Sequence, residues 1–250
     1  MKVTVLGCGT STGVPRLPGD WGVCDPQNPK NRRRRSSILV EEGGTTLLVD
    51  CGPDMRAQLL DARVARLDAV LVTHDHADHT HGIDDLRGYY MAQQAEIPLY
   101  ADAHTLARLE TRFDYIFRSR HGYPPICRGH VIDGPFRVGA IEVVPFRQIH
   151  GRIFSLGFRF GDVAYSTDLN DLPEESFAAL EGVRLWIVDA LRPREHPTHT
   201  HLAQTLDWIA RLRPERAILI HMSNQLDYAT LCRELPQGVE PGFDGLVIEL

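Results

Sequence analysis

The residues best suited to chemistry in this chain form one short run of histidines and aspartates, His74-Asp75-His76-Ala77-Asp78-His79. The run directly follows an apolar, strand-like segment at residues 69–73. Imidazole and carboxylate groups beside a buried strand cost free energy unless something compensates them, and a divalent cation does so well. A histidine-rich turn exposed to water is the alternative interpretation. The spacing HxHxDH after a strand favours a metal site.

A single motif cannot fill two coordination spheres, so such a site predicts further histidine or aspartate residues at the ends of other strands. Three residues meet that expectation, because each follows an apolar run: His150, Asp168 and His221. Any one of them alone would be an ordinary polar residue at a strand end. Their occurrence together favours a shared site.

The elements that must position these residues alternate in type along the chain. Strand-like runs that end in Gly, Asp or His lie at residues 3–6, 46–49, 69–73, 141–146, 163–167, 185–188 and 217–220. Leu or Ala residues at helical spacing lie at residues 54–62, 83–94, 104–117 and 201–212. Runs of consecutive apolar residues are typical of central strands covered on both faces. The sequence therefore predicts an α/β fold, and we expect one domain over residues 1–250.

The charge balance limits the possible partners. The net charge is −6, which argues against a protein that coats nucleic acid through a broad positive field. A small anionic substrate stays compatible with this charge, because bound cations would supply positive charge inside the site.

Cysteine usage and hydropathy indicate the compartment. The five cysteines are scattered without a CxxC pair, which suits neither a disulfide framework nor a thiolate zinc cluster. The N-terminus starts directly in a strand pattern, and no apolar run approaches membrane-spanning length. We therefore expect a cytoplasmic protein with no membrane partner.

With HxHxDH followed by a later His, an Asp and a final His, the chain resembles the metallo-β-lactamase superfamily from Gly7 to Gly245. The resemblance implies a four-layer αββα sandwich, in which two β-sheets flanked by helices hold a dinuclear metal site between them. It implies that one metal is bound by His74, His76 and His150, the second by Asp78, His79 and His221, and that Asp168 bridges the two. It also implies that Asp50 orients a ligand histidine from behind.

Further segments narrow the resemblance to one branch. The opening Gly7 to Pro15, the segment Pro197 to Leu202 and the ending near His221 are similar to motifs of the tRNA-processing endonucleases. They are closer still to the phosphoribosyl 1,2-cyclic phosphate phosphodiesterase group of the carbon–phosphorus lyase pathway. The long exosite insertion of a tRNA endonuclease is not evident. We therefore expect a small substrate and no nucleic-acid partner.

These observations predict a metal-dependent hydrolase of a small phosphodiester, such as a cyclic ribosyl or nucleoside phosphate. Two divalent ions, zinc or manganese, can share a hydroxide that attacks phosphorus in line. A general acid at the leaving ribose oxygen contributes roughly 10²- to 10⁴-fold. The resemblance implies two catalytic residues, His199 as the general acid and Asp168. The alternative is that His199 is an ordinary residue of a surface turn. It also implies a possible homodimer.

Two other functions stay open at this point. A thioester or lactone hydrolase of the same fold would use the same ligands, but it would not need His199. A non-catalytic binding or scaffold protein would hold metal and turn over no ester. A dinucleotide site at residues 7–13 is disfavoured, because the third glycine comes one residue late and no helix clearly follows; a tight turn near the site entrance is the expected structure instead.

The N-terminal loop at residues 15–35 is long enough to have a function of its own. Some members of the resembled group hold a structural zinc there, but only Cys24 is present here and Asn224 replaces the histidine, so we predict no structural zinc. We expect apolar and proline residues to hold the loop. The run Arg32-Arg33-Arg34-Arg35 would contact a phosphate or form a solvated face. Asp189 is expected to be structural or exposed and is left out of the site.

Overall fold

Two mixed β-sheets of seven strands each form the centre of the molecule, in a computed structural model that describes residues 1–120 and 122–250. In spatial order, the first sheet contains β14 (Leu246–Glu249), β1 (Lys2–Gly7), β2 (Ser37–Glu42), β3 (Thr45–Val49), β4 (Ala69–Leu71), β5 (Ile97–Ala101) and β6 (Cys127–Val131). The second contains β13 (Val239–Pro241), β12 (Arg216–Ile220), β11 (Leu185–Asp189), β10 (Val163–Ser166), β9 (Ile153–Phe160), β8 (Ile141–His150) and β7 (Phe136–Val138).

Eight α-helices among the described residues connect or cover these strands. They are α1 (Met55–Asp61), α2 (Ala77–Thr80), α3 (Arg87–Gln93), α4 (Ala103–Arg112), α5 (Asp114–Phe117), α6 (Glu174–Leu180), α7 (Leu202–Leu212) and α8 (Tyr228–Glu234). Short 3-10 helices span Pro29–Asn31 and Ile83–Leu86. None of the helices in the described part of the chain is long and apolar enough to cross a membrane.

The central strands are buried on both faces, as the consecutive apolar residues predict. In β3, Leu47 belongs to the apolar cluster that joins the two sheets, and its neighbour Leu48 belongs to a second cluster beneath the outer helices. The second cluster includes Leu59 of α1 and Leu109 of α4. On the second sheet, Phe177 of α6 and Trp208 of α7 pack in the same cluster as the strand residues, so helices cover both sheets and the predicted αββα arrangement is confirmed.

Three predicted elements differ from the observed ones. The helix expected at residues 83–94 is a 3-10 turn followed by α3, because the Asp85 amide bonds to the carbonyl of Gly82 rather than one residue further back. The helix expected at residues 104–117 breaks at Phe113, whose ψ of 40° is not helical. The strand expected at residues 141–146 continues to His150 and alternates buried and exposed residues, because it pairs antiparallel with both of its neighbours.

The N-terminal loop is anchored by a buried arginine, which corrects the expectation that apolar and proline residues hold it. Arg33 is 2% exposed and donates to the carbonyls of Ser223 at 3.0 Å and Leu226 at 2.7 Å. Beside it, the Asn31 side chain donates to Asp227 at 2.7 Å. The loop is therefore attached to the segment that follows β12.

The other arginines of the run are largely committed to ion pairs. Arg34 pairs with Asp61 at 2.7 Å, and Arg35 pairs with Asp54 at 3.1 Å. The run is therefore not a uniformly solvated face, and its contact with a phosphate stays a prediction.

Candidate metal centre

The predicted site residues meet at one end of the two sheets. The loop between β4 and α2 brings His74 and His76, α2 brings Asp78 and His79, the end of β8 brings His150, and the residues after β10 and β12 are Asp168 and His221. The carboxyl ends of neighbouring parallel strands lie along one edge, so strand-end residues converge there. All seven residues are brought together.

Three strand ends share an unusual backbone. Asp50 after β3, Asp168 after β10 and His221 after β12 have φ values of 64°, 53° and 54°. Non-glycine residues adopt this left-handed conformation uncommonly, and such strain is concentrated at functional sites. These three side chains lie together with His79 at the edge of the sheets.

Asp168 lies between two groups of histidines. Its Oδ2 is 3.7 Å from His74 Nε2 and 3.6 Å from His150 Nε2. Its Oδ1 is 3.1 Å from both His79 Nε2 and His221 Nε2. One carboxylate oxygen therefore faces each group, which is the geometry of a bridging ligand.

Each group is suited to a divalent ion. In the first group, one ligand atom from each of four residues lies within 4.8 Å of the others: His74, His76, His150 and Asp168. The same distance limit holds for the second group: Asp78, His79, Asp168 and His221. Ligand atoms held at 2.0–2.2 Å from one tetrahedral metal lie about 3.4 Å apart, so the observed spacing requires only small adjustments.

Buried nitrogen atoms without partners support the same interpretation. Nε2 of His74, His79 and His221 is buried, and none has a hydrogen-bond partner within the described part of the chain. Leaving a buried polar atom unsatisfied costs roughly 1–3 kcal/mol, so each one requires an explanation. Coordination of cations, one by His74 and one by His79 and His221, provides it.

Asp50 orients two of the histidines. Its Oδ2 accepts from His79 Nδ1 at 2.7 Å, and its carboxylate also accepts from the Thr73 hydroxyl. That hydroxyl accepts from His74 Nδ1 at 3.0 Å. Fixing the proton on Nδ1 leaves the Nε2 lone pair of each ring directed at the centre. The predicted orienting role of Asp50 agrees with this geometry.

The same arrangement occurs at His150. Its Nδ1 donates to the carbonyl of Thr198 at 2.6 Å, in the segment between β11 and α7. The Nε2 atom of His150 therefore also faces Asp168.

The electrostatics of the site are those of close carboxylate–imidazole contact. Burial would raise the pKa of Asp168, but the nearby His221 and His79 outweigh it and hold that pKa well below the usual value. Burial would lower the pKa of His221, but Asp168 and Asp189 raise it to about 9. For His150, burial dominates and lowers the pKa to about 4. The carboxylates thus create a negative electrostatic potential at the centre, which favours the binding of a divalent cation.

His199 lies beside the two groups. Its Nδ1 donates to Asp189 at 3.1 Å, and its Nε2 is 3.8 Å from Asp168 Oδ2. The ring stacks on His221 with centroids 4.8 Å apart. The alternative in which His199 belongs to a surface turn is therefore wrong, since the side chain is only 13% exposed and is held at the centre.

A cavity of about 680 Å³ opens onto this centre. Its walls include His76, Asp78, His199, Ser11 and Arg152. Ser11 lies in the glycine turn predicted near the site entrance. Arg152 is an exposed residue at the tip of the hairpin between β8 and β9, where it can contact an anion that approaches the centre.

One residue was assigned differently from the sequence, and one residue of the histidine motif lies outside the site. Asp189 is fully buried and contacts both His199 and His221, so it is part of the site rather than only structural. The sequence contained an indication of this, because Asp189 lies at the end of an apolar strand, like Asp168 and His221. Asp75 lies inside the histidine motif but points away from the centre, and Arg108 and Arg112 of α4 hold its carboxylate.

Comparison with known proteins identifies relatives of the whole chain. Residues 45–222 match the family model described as the beta-lactamase superfamily domain. The solved structure of a new diphosphatase from the PhnP family is 35% identical, with a TM-score of 0.93, and the alignment covers 100% of this chain and 98% of that one.

Curated relatives are longer proteins. An octanoyltransferase of Porphyromonas gingivalis is 38% identical over 98% of this chain and 51% of its own length. A ribonuclease Z of Salinibacter ruber is 29% identical over 65% of this chain and 48% of its own length. The chain therefore spans about half the length of the curated relatives it matches.

Proposed function

The chain belongs to the metallo-β-lactamase superfamily. We propose that it is a metal-dependent phosphodiesterase whose substrate is a small ribosyl or nucleoside phosphodiester, either cyclic or linear. The observation that carries this proposal is the position of Asp168, with one carboxylate oxygen facing each of two histidine groups. A pair of adjoining cation positions suits a phosphodiester, which presents two non-bridging oxygens and develops charge on both the attacking and the leaving oxygen.

The first group of ligands, His74, His76 and His150, would hold one zinc or manganese ion, and the second, Asp78, His79 and His221, would hold the other, with Asp168 shared. Such ions, when bound, supply positive charge to the phosphate oxygens and lower the pKa of a bound water. The chain's own contribution is to fix the ligands, through Asp50, Thr73 and the carbonyl of Thr198.

His199 supplies the proton for the leaving oxygen. Asp189 holds the Nδ1 proton of the ring, so a second proton on Nε2 would face the cavity, where a leaving group departs. A ribose alkoxide leaves slowly unless it is protonated, and general-acid help of this kind contributes roughly 10²- to 10⁴-fold. Arg152 and Ser11 at the wall of the cavity would bind the remaining phosphate oxygens.

The names of two relatives support cleavage at phosphorus. One is a diphosphatase and the other is a ribonuclease, and both names denote breaking a phosphorus–oxygen bond. The name octanoyltransferase instead favours a second candidate, an acyl-thioester hydrolase that uses the same metal centre. Only half of that relative's length matches this chain, so the acyl chemistry can reside in its other half.

A substrate panel tests the proposal. Protein reconstituted with Zn²⁺ or Mn²⁺ is assayed on bis-p-nitrophenyl phosphate, on 2′,3′-cyclic nucleotides and on octanoyl-coenzyme A. We expect turnover of the phosphodiesters, and we expect Asp168→Ala to abolish it. Asp162 is exposed and lies outside the site, so Asp162→Ala should retain this turnover. Turnover of the thioester alone would replace the proposal by the second candidate, and a metal-loaded protein that turns over neither would reject both.

A further inference from the structure

A second cavity, of about 690 Å³, adjoins the metal-centre cavity, and nothing in the proposed reaction uses it. Ile153, the first residue of β9, lies in the wall of both cavities. A substrate whose phosphate lies at the metal centre can therefore extend into this space.

The floor of the second cavity is apolar. It is formed by buried side chains of β8 and β9, Phe146 at 5% and Leu156 at 9% exposure, together with the half-buried Ile132. Its rim carries polar groups, including His104 and Asp133. A cavity of this size with an apolar floor and a few polar rim groups is typical of a small-molecule site.

The wall includes an exposed aromatic ring. Phe154 is 54% exposed, although it lies within β9 next to the hairpin that carries Arg152. The guanidinium of Arg147 lies 3.7 Å from the centre of its ring and covers one face. Aromatic rings and stacked guanidinium groups are the surfaces on which proteins hold flat nucleobases.

We propose that this second cavity binds the nucleobase of the substrate, with the base stacked against Phe154 while the phosphate lies at the metal centre. This inference deepens the proposed function and rests on it, because it defines the substrate as a nucleoside phosphodiester rather than a bare sugar phosphate. An alkyl chain is less well suited, because the polar rim and the guanidinium of Arg147 would stay in contact with it.

Calorimetric binding to the metal-loaded protein tests the inference without turnover. The ligands are adenosine 5′-monophosphate, ribose 5-phosphate and octyl phosphate, which present a base, a sugar or an alkyl chain beside the phosphate. We expect the nucleotide to bind about 5- to 100-fold more tightly than ribose 5-phosphate, from one stacked base. Phe154→Ala should remove most of this preference and Phe154→Trp should keep it. Tyr115→Ala, which removes another exposed aromatic, should leave it unchanged.

The outcomes separate this inference from the proposed reaction. Equal binding of the nucleotide and ribose 5-phosphate, or a preference that Phe154→Ala retains, overturns the nucleobase assignment even if phosphodiesters are hydrolysed. Tighter binding of octyl phosphate than of the nucleotide overturns it in favour of an acyl occupant. A nucleotide preference that depends on Phe154 supports the inference even if the panel shows no phosphodiester turnover.

Discussion

Asp189 and His199 are joined by a hydrogen bond in which His199 Nδ1 donates to the fully buried carboxylate of Asp189 at 3.1 Å. Asp189 is the last residue of β11, and His199 lies in the segment that leads to α7. A buried carboxylate fixes both the orientation and the tautomer of the imidazole that it accepts from. The pair thus directs Nε2 of His199 toward Asp168 and the cavity.

The first prediction concerns the leaving group. His199→Ala should lower kcat by roughly 10²- to 10⁴-fold for a diester with a ribose leaving oxygen, because that oxygen requires a proton. The same variant should lose far less activity on bis-p-nitrophenyl phosphate, since p-nitrophenolate leaves without protonation. Steady-state assays of both substrates measure the difference.

Asp189→Asn should follow the same dependence with a smaller loss, because the ring stays in place but its tautomer is no longer fixed. Metal content, measured on His199→Ala, serves as the control and should be unchanged. An equal loss on both substrates would contradict the acid role of His199 and assign it to the metal centre instead.

A second prediction concerns the partner of His79. Asp50→Asn should weaken metal binding about 10- to 100-fold. The substitution removes the charged acceptor of the His79 ring, and it also removes the charged acceptor of the Thr73 hydroxyl, which supports His74. Competition with a coloured chelator measures the affinity. Asp162 is exposed and does not contact the site, so Asp162→Asn is the matched control. Wild-type affinity in Asp50→Asn would show that the histidines need no such support.

Stability should depend on the arginine that anchors the N-terminal loop. Arg33→Met removes the donors to two carbonyls, those of Ser223 and Leu226, and should lower the free energy of unfolding by about 2–4 kcal/mol. The neighbouring Arg32 is exposed, so Arg32→Met should change the free energy of unfolding by less than about 0.5 kcal/mol. Urea denaturation compares the two variants, and equal effects would mean that Arg33 does not anchor the loop.

His150 makes a defined contribution to the pH dependence of stability. Burial lowers its pKa from 6.5 to about 4 in the folded protein, so between these values the unfolded chain binds a proton that the folded chain does not. The stability that neutral His150 contributes is therefore lost as the pH falls through this window, whereas His221, whose pKa is raised to about 9, contributes in the opposite direction. For the metal-free protein the contribution of His150 between pH 7.5 and pH 5 is about 2 kcal/mol.

Urea denaturation at both pH values, for wild type and His150→Gln, measures this contribution. The change in unfolding free energy from pH 7.5 to pH 5 should be more unfavourable in the wild type than in the variant by that amount. Identical losses in the two proteins would contradict the assignment to His150.

Three ligand positions could be predicted from the sequence because each ends or follows a strand, and strand ends meet at one edge of a sheet. His150, Asp168 and His221 are far apart in the chain, yet this rule places them together. The same rule applied to Asp189 would have found it. The histidine motif did not reveal that Asp75 turns outward, since its arginine partners lie on α4, more than thirty residues away.

The anchoring of the loop could not be predicted in this way. Arg33 is held by carbonyls about 190 residues further along the chain, and every residue supplies a carbonyl, so no side-chain pattern marks the acceptors. The helix breaks at Phe113 and before α3 have the same origin, because local spacing indicates a helix without showing where the surrounding structure bends it.

The metal-to-protein ratio tests the central claim most directly. Elemental analysis of protein loaded with Zn²⁺ or Mn²⁺ and then passed through a desalting column should give close to two ions per chain. The ratio should fall well below two in Asp168→Ala, which removes the carboxylate that faces both histidine groups. A ratio near zero for the wild-type protein, or a ratio that Asp168→Ala leaves unchanged, would contradict the account of a shared two-metal centre.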